Sequence, residues 1–167
     1  MPTSEYAFPF IYIEGVLSEK KACLVDGKYI IVRGAGQECE KMFGLVPYER
    51  VIDYVDLVEA KTKASILMAF EEPEKPPRGY LIEKDTPLCL QEISGDHLYF
   101  LVSEGSRVKK GNKIAYIVTG KLEVRSVTSL CTGSVVFVVD MPWETPRKAL
   151  VVVVPSELRE VSVRKAS

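Results

Sequence analysis

The hydrophobic pattern of the first third of the chain mixes strand and helix signals. Residues 6–13 form an extended apolar and aromatic run, and residues 28–32 form a second one after an Asp-Gly turn. From Pro47 onward, apolar residues recur at the spacing of one helix face while acidic residues occupy the other faces, and proline suits the first turn of a helix. The pattern therefore predicts two strands followed by a helix over residues 47–64.

A proline-rich segment separates this region from a part of the chain in which the spacing of apolar residues is different. Residues 71–79 contain three prolines among charged residues, a composition typical of a linker or domain boundary. From residue 79 to residue 140, short apolar stretches alternate with Gly, Ser, Asn and Asp without a helical period, which indicates an all-β domain. Strand-like runs return at residues 149–154 and 158–163, and we expect them to pack back on the N-terminal region.

The pattern as a whole predicts a mainly β protein with a smaller α+β part. We place an N-terminal α+β region with strands and a helix at residues 1–78, a β-domain at residues 79–140 and the C-terminal strands at residues 141–167. A chain of 167 residues with 47% hydrophobic composition is long enough to bury one core, or two small ones, without disulfide or metal staples.

Charge and targeting signals limit the classes of partner. Lys and Arg number 22 against 23 Asp and Glu, so the chain has no net positive field that would attract nucleic acid. The first residues lack the basic start and apolar run of a signal peptide, and the longest apolar stretches are well short of the roughly 18 residues that a membrane span requires. We therefore expect a cytoplasmic protein that binds neither nucleic acid nor membrane.

The cysteines and the single histidine form no recognisable metal motif. Cys23, Cys39, Cys89 and Cys131 are far apart in sequence and include no CxxC pair, while His97 follows a Gly-Asp turn at the start of an apolar run. Four cysteines can form two disulfides, but without a secretory signal we favour four buried thiols. We expect His97 to make ordinary hydrogen bonds at the edge of a turn.

One stretch of the predicted β-domain resembles a known family. Residues 104–114, EGSRVKKGNKI, are similar to the EGD.V.KGD.L stretch of biotinyl and lipoyl carrier domains, and the following AYIVTGKLEV places Lys121 where those domains hold the modified lysine. The similarity covers residues 86–140 and includes the later segment GSVV at residues 133–136. In its whole-chain layout the sequence also resembles an uncharacterised archaeal family of hybrid-motif proteins. The resemblance implies a barrel-sandwich hybrid fold and an attachment site for biotin or lipoate at Lys121.

The residues around Lys121 independently predict a hairpin. Residues 114–118 alternate along one strand and Leu122 begins the return, which leaves Gly120 and Lys121 at a two-residue turn. Glycine in the first central position is typical of a type II′ turn because φ is positive there, and Lys121 then stands free at the tip. Gly120 and Leu122 replace the methionines or the acidic residue that flank the lysine in modified domains. We therefore expect Lys121 to be exposed but unmodified in most molecules, with no cofactor attached.

No catalytic constellation can be named in the sequence, so we do not expect an enzyme. Trp143 lies in a proline-bracketed loop, where we expect it to cap a core; an exposed Trp143 would be a protein-contact residue. The favoured function is a non-catalytic interaction module that binds another protein or itself. The alternatives are a carrier of biotin or lipoate on Lys121, and a small-molecule binder or enzyme that uses a cleft between the two parts.

Overall fold

The structure, a computed structural model, describes residues 9–34, 39–72 and 75–166. Within these ranges the chain forms sixteen strands and one 3-10 helix. In chain order the elements are β1 (Phe10–Glu14), β2 (Lys20–Val25), β3 (Lys28–Arg33), β4 (Lys41–Val46), the 3-10 helix (Tyr48–Tyr54), β5 (Val55–Asp56), β6 (Lys61–Thr62), β7 (Ile66–Phe70), β8 (Arg78–Ile82), β9 (Cys89–Ser94), β10 (His97–Phe100), β11 (Arg107–Val108), β12 (Lys113–Val118), β13 (Val124–Thr128), β14 (Gly133–Met141), β15 (Lys148–Val154) and β16 (Arg159–Lys165). The mainly β content predicted from the sequence is confirmed. The first residues of the run predicted at 6–13 lie outside the described residues.

The helix predicted over residues 47–64 is wrong. Tyr48–Tyr54 forms a 3-10 helix, and the chain then extends into the short antiparallel pair of β5 and β6. Val51 and Val55, which contributed to the helical spacing, are both buried, but Val55 is already extended, with φ −115° and ψ 126°. The helical spacing of the apolar residues therefore arises from a short 3-10 helix and a following strand that are both buried. Over so few residues, this spacing is the same as that of one face of an α-helix.

The first compact unit is a closed β-barrel. It is formed by the described residues of Met1–Asp56, Lys61–Thr86 and Leu158–Ser167, and its strands are ordered β1-β4-β2-β3-β16-β8-β7, with β7 pairing back to β1. Neighbouring barrel strands are antiparallel except β16, which runs parallel to β3. Alternate side chains form the buried core, including Tyr12 of β1 and Leu67 of β7. Each barrel strand therefore has two hydrogen-bonded neighbours.

The second compact unit consists of two antiparallel sheets. It is formed by Leu57–Ala60 and Pro87–Glu157, with one sheet ordered β10-β12-β13 and the other β11-β14-β15-β9. Inward-facing aliphatic side chains from both sheets share one core, among them Leu98, Ala115 and Val151. Valine is abundant in β14 and β15, as suits strands that are buried over most of their length.

The two C-terminal strands separate between the units. β15 lies between β14 and β9 in the second unit, whereas β16 lies between β3 and β8 in the barrel. The boundaries placed at residues 78 and 140 therefore differ from those of the compact units. In the described part of residues 1–78 the helical element is the 3-10 helix alone, and all of this part except Leu57–Ala60 belongs to the barrel unit, so it is not an α+β region.

The four cysteines form two disulfides, so the preference for four buried thiols is wrong. Cys23 is bonded to Cys39 in the first unit, and Cys89 is bonded to Cys131 in the second, with Cα atoms 5.2 and 6.6 Å apart. Two disulfides were the alternative that the sequence allowed. Their pairing could not be predicted, because the partners lie 16 and 42 residues apart and only the fold brings them together. Among the described residues, no helix combines the length and the hydropathy that a membrane crossing needs.

Candidate functional site

The hairpin between β12 and β13 carries Lys121 at its exposed tip. Its loop is closed by hydrogen bonds from the Leu122 N–H to the Thr119 carbonyl and from the Thr119 N–H to the Glu123 carbonyl, each 2.9 Å long. The predicted type II′ turn is therefore wrong: the loop has three residues, and the positive φ of +62° belongs to Leu122 and not to Gly120. This geometry matches the hairpin in which a β-turn is followed by one left-handed residue.

Leu122 is an unusual residue for this position. Glycine is favoured where φ is positive, because a Cβ atom costs about 1 kcal/mol or more in the left-handed region. The Leu122 side chain is nevertheless 81% exposed and therefore gains little from burial in the monomer. An apolar side chain that is both exposed and conformationally costly marks the hairpin tip as a functional candidate. The sequence pattern does not single out Leu122, because a glycine two residues earlier is the expected site of a positive φ.

Asp96 fixes the position of the hairpin tip. Its carboxylate Oδ2 accepts a hydrogen bond of 2.8 Å from the Gly120 N–H. A Cβ atom at position 120 would lie 3.3 Å from this oxygen, so glycine leaves room for the carboxylate. The sequence did not assign a role to Asp96; its only signal was the Gly95-Asp96 turn pair. His97 follows as the first residue of β10 and is paired with Val118 of β12.

Three loops of the second unit meet at this end. The Gly95 N–H donates a 3.0 Å hydrogen bond to the Arg147 carbonyl, which joins the β9–β10 turn to the β14–β15 loop. The Asp140 carboxylate accepts two hydrogen bonds from the Arg147 guanidinium, the one from Nε to Oδ1 being 3.1 Å long, and they raise the pKa of Arg147. Trp143, in the β14–β15 loop, is 69% exposed, so the expectation that it caps a core is wrong. The fold thus gathers Gly120, Lys121 and Trp143 at one end of the unit.

The outer face of the β10-β12-β13 sheet continues from this end. Because Leu98, Ala115 and Val127 contribute to the core, the alternate residues of the three strands face solvent. The register places these outer residues in two cross-strand rows, namely His97, Val118 and Val124, followed by Tyr99, Tyr116 and Ser126. Tyr99 and Val124 are 57% and 64% exposed. We call this face, together with Leu122, Lys121 and Trp143, the tip surface.

A separate polar cluster lies in the barrel. The Glu71 side chain is only 4% exposed, and its carboxylate accepts hydrogen bonds from the Tyr12 hydroxyl (3.0 Å) and from Lys20 Nζ (3.3 Å). Lys165 Nζ lies 3.7 Å from the same carboxylate. Burial, followed by the charge of Glu71, raises the pKa of Tyr12 above its usual range. Tyr12 is therefore held as a neutral hydrogen-bond donor, and the cluster ties β1, β2, β16 and the end of β7 together.

These two arrangements have different chemical capacities. The barrel cluster is a satisfied ion-pair network, and the described residues contain no group of three His, Cys, Asp or Glu side chains placed to hold a metal ion. The tip surface presents exposed aromatic and aliphatic side chains beside a lysine that makes no ion pair with any described residue. Such a composition suits contact with another protein.

A family model described as an uncharacterized protein conserved in archaea, DUF2118, matches residues 6–156. No curated protein matches the sequence. The matched range contains the hairpin, the outer sheet face and the Trp143 loop, so the tip surface lies within the family region. The resemblance to an uncharacterised archaeal family is confirmed, and the chain belongs to the DUF2118 family.

Proposed function

We propose that this protein is a non-catalytic interaction module whose second unit is a biotinyl/lipoyl-like barrel-sandwich hybrid and whose contact surface is the tip surface. The fold assignment is supported by two antiparallel sheets around one core and by a hairpin that carries Lys121 at the position expected from the family motif. The interaction role rests on the exposed apolar side chains of that hairpin and the adjoining face.

The observation that carries the proposal is Leu122. Its side chain is 81% exposed, it occupies a left-handed conformation that favours glycine, and it lies beside the exposed Val124. The conformational cost of this leucine is offset when a partner covers its side chain, because burial of apolar surface is favourable. Tyr99 and Trp143 add aromatic side chains of the type that is enriched at the centres of protein interfaces.

Affinity capture with matched variants tests this proposal. Purified protein is immobilised and exposed to an extract of the native source, and the retained proteins are quantified by mass spectrometry. We expect the double variant Tyr99→Ser, Val124→Ser to lose the specific partner, or added copies of this chain, by about tenfold or more. Leu17→Ser is the matched control, because Leu17 is 88% exposed on the barrel unit. Equal retention by the double variant and the wild type would contradict a role for the tip surface.

A carrier of biotin or lipoate is the second candidate function, and the exposed position of Lys121 at the hairpin tip favours it. A carrier needs a lysine that a ligase and then an active site can reach, and the tip meets that need. The measurement is the intact mass of protein purified from its native source, followed by peptide mapping across residues 114–125. We expect an unmodified lysine; a stoichiometric biotinyl or lipoyl adduct on Lys121 would replace the interaction module with the carrier.

A further inference from the structure

The outer edge of β13 has unused backbone hydrogen-bonding groups. Within the described residues β13 pairs with β12 alone. Since Thr119 donates to the carbonyl of Glu123, the alternation of an antiparallel pair directs the backbone groups of Arg125 toward β12 and those of Val124 and Ser126 away from it. The free stretch ends at Thr128, whose carbonyl accepts a 2.7 Å hydrogen bond from the Gln91 side chain. β13 therefore offers a short edge to which another strand can add.

We propose that this edge binds the same edge of a second copy of the chain, antiparallel and centred on Val124. The proposal rests on the interaction module above and identifies its partner. In this register Val124 lies opposite the partner's Val124, and the two residues exchange both N–H to carbonyl bonds. Glu123 then lies opposite the partner's Arg125, and by the two-fold symmetry Arg125 lies opposite the partner's Glu123.

Charge complementarity selects this register and this partner. Glu123 and Arg125 flank Val124 symmetrically, their side chains are 62% and 70% exposed, and their present contact within the chain is long, at 3.9 Å. Opposite charges across a strand pair stabilise it, whereas a pair centred on Arg125 would place two like charges in direct opposition. The other edge strand of this sheet, β10 (HLYF), has no such acid and base about a centre, so the same argument does not apply to it.

The exposed apolar side chains agree with the same arrangement. Val124 would pack against its copy on the outer face, and two β-branched residues make a favourable cross-strand pair. Leu122 lies in the turn, two residues before Val124, and its exposed side chain would lie beside this contact. β13 also contains neither proline nor lysine, the residues that commonly protect a strand edge from pairing.

Charge reversal tests the proposal by sedimentation velocity over a range of concentrations. The wild type should form a dimer whose affinity falls as salt is raised. Glu123→Arg and Arg125→Glu should each weaken the dimer by about tenfold or more, because each places like charges opposite each other twice. The double variant should regain wild-type affinity. An equimolar mixture of the two single variants should form a heterodimer, because one chain then carries two bases and the other two acids.

The mixture also controls for misfolding, since a variant that fails to fold cannot form the heterodimer. A wild-type protein that remains monomeric at the highest soluble concentration would overturn the proposal, as would single variants that dimerise as well as the wild type. These outcomes leave the interaction module intact if affinity capture still depends on Tyr99 and Val124. The interaction module fails separately if that double variant retains every partner, whatever the oligomeric state.

Discussion

The two compact units differ in whether their outermost strands have a hydrogen-bonded neighbour on both sides. In the barrel every strand is paired on both sides, so the backbone hydrogen bonds of its sheet are satisfied within the unit. In the second unit the three-stranded sheet ends at β10 and β13, each with one neighbour in the described part of the chain. Of the ten large hydrophobic side chains described as exposed, eight belong to the second unit. Among the described residues, the exposed apolar side chains and the sheet edges with one neighbour are therefore concentrated in the second unit.

The hydrogen-bonded polar side chains of the two units follow the same division. The barrel places a carboxylate, a tyrosine and two lysines where its strands converge, and all are satisfied within the unit. The second unit uses polar groups at its open end to position loops, with Asp96 bonded to Gly120 and Arg147 bonded to Asp140.

The largest expected effects come from the disulfides. Replacing Cys89 and Cys131 by alanine should lower the unfolding free energy of the second unit by about 4 kcal/mol, and replacing Cys23 and Cys39 should lower that of the barrel by about 3 kcal/mol, because the closed loops differ in length. Urea unfolding followed by circular dichroism, with each variant compared with the wild type, measures both losses. If a strong reductant leaves the wild-type midpoint unchanged, the pairings do not contribute to stability.

A smaller effect is expected from the barrel cluster. Glu71→Ala should destabilise the barrel by about 2 kcal/mol, because Lys20, only 15% exposed, loses its carboxylate partner. Glu72→Ala is the matched control, since Glu72 pairs with the exposed Lys75 and should change stability by less than about 0.5 kcal/mol. Thermal and urea unfolding measure both variants. Equal losses from Glu71→Ala and Glu72→Ala would show that burial of the carboxylate has no energetic consequence.

The same cluster predicts the alkaline limit of the barrel. Tyr12 ionises in the unfolded chain near its ordinary pKa of 10.0, whereas burial and Glu71 raise its pKa in the folded barrel. Above pH 10 the unfolded state therefore binds fewer protons than the folded state, and stability falls as pH rises, by about 1.4 kcal/mol per pH unit for this group. Tyr12→Phe should remove this share of the slope between pH 10 and 11. Urea unfolding at several pH values gives both slopes, and identical slopes would contradict the role of Tyr12.

The smallest expected effect is a gain. Leu122→Gly should stabilise the second unit by about 1 kcal/mol, because glycine adopts the positive φ of this position without the cost of a Cβ atom. The same variant should weaken partner binding, since the exposed side chain is lost. Leu122→Ala separates the two effects, because it removes the side chain while keeping the backbone cost. A loss of stability in Leu122→Gly would show that the leucine already has compensating contacts within the unit.

Features that depend on neighbouring residues could be predicted from the sequence. The alternation over residues 114–118 predicted a strand there, and β12 is found at Lys113–Val118. The short apolar stretches after residue 79 likewise predicted β-strands, and β-strands are found there. The local pattern gave a wrong prediction at residues 47–64, where buried residues of a 3-10 helix and of the following strand happen to recur at helical spacing. It was also wrong at the hairpin, where the positive φ belongs to Leu122 and not to Gly120.

Contacts between distant segments could not be predicted in this way, because they form only when the whole chain folds. β15 is a continuous buried aliphatic run and β16 alternates apolar with charged residues, but neither pattern identifies a partner strand. β15 joins β9 and β14, and β16 lies between β3 and β8 in the barrel. Backbone hydrogen-bonding groups are the same at every edge and do not encode their partner. The disulfide pairs, the bond from Gly120 to Asp96 and the convergence on Glu71 arise in the same way. Each links residues far apart in sequence, whose proximity is fixed only when the sheets close around their cores.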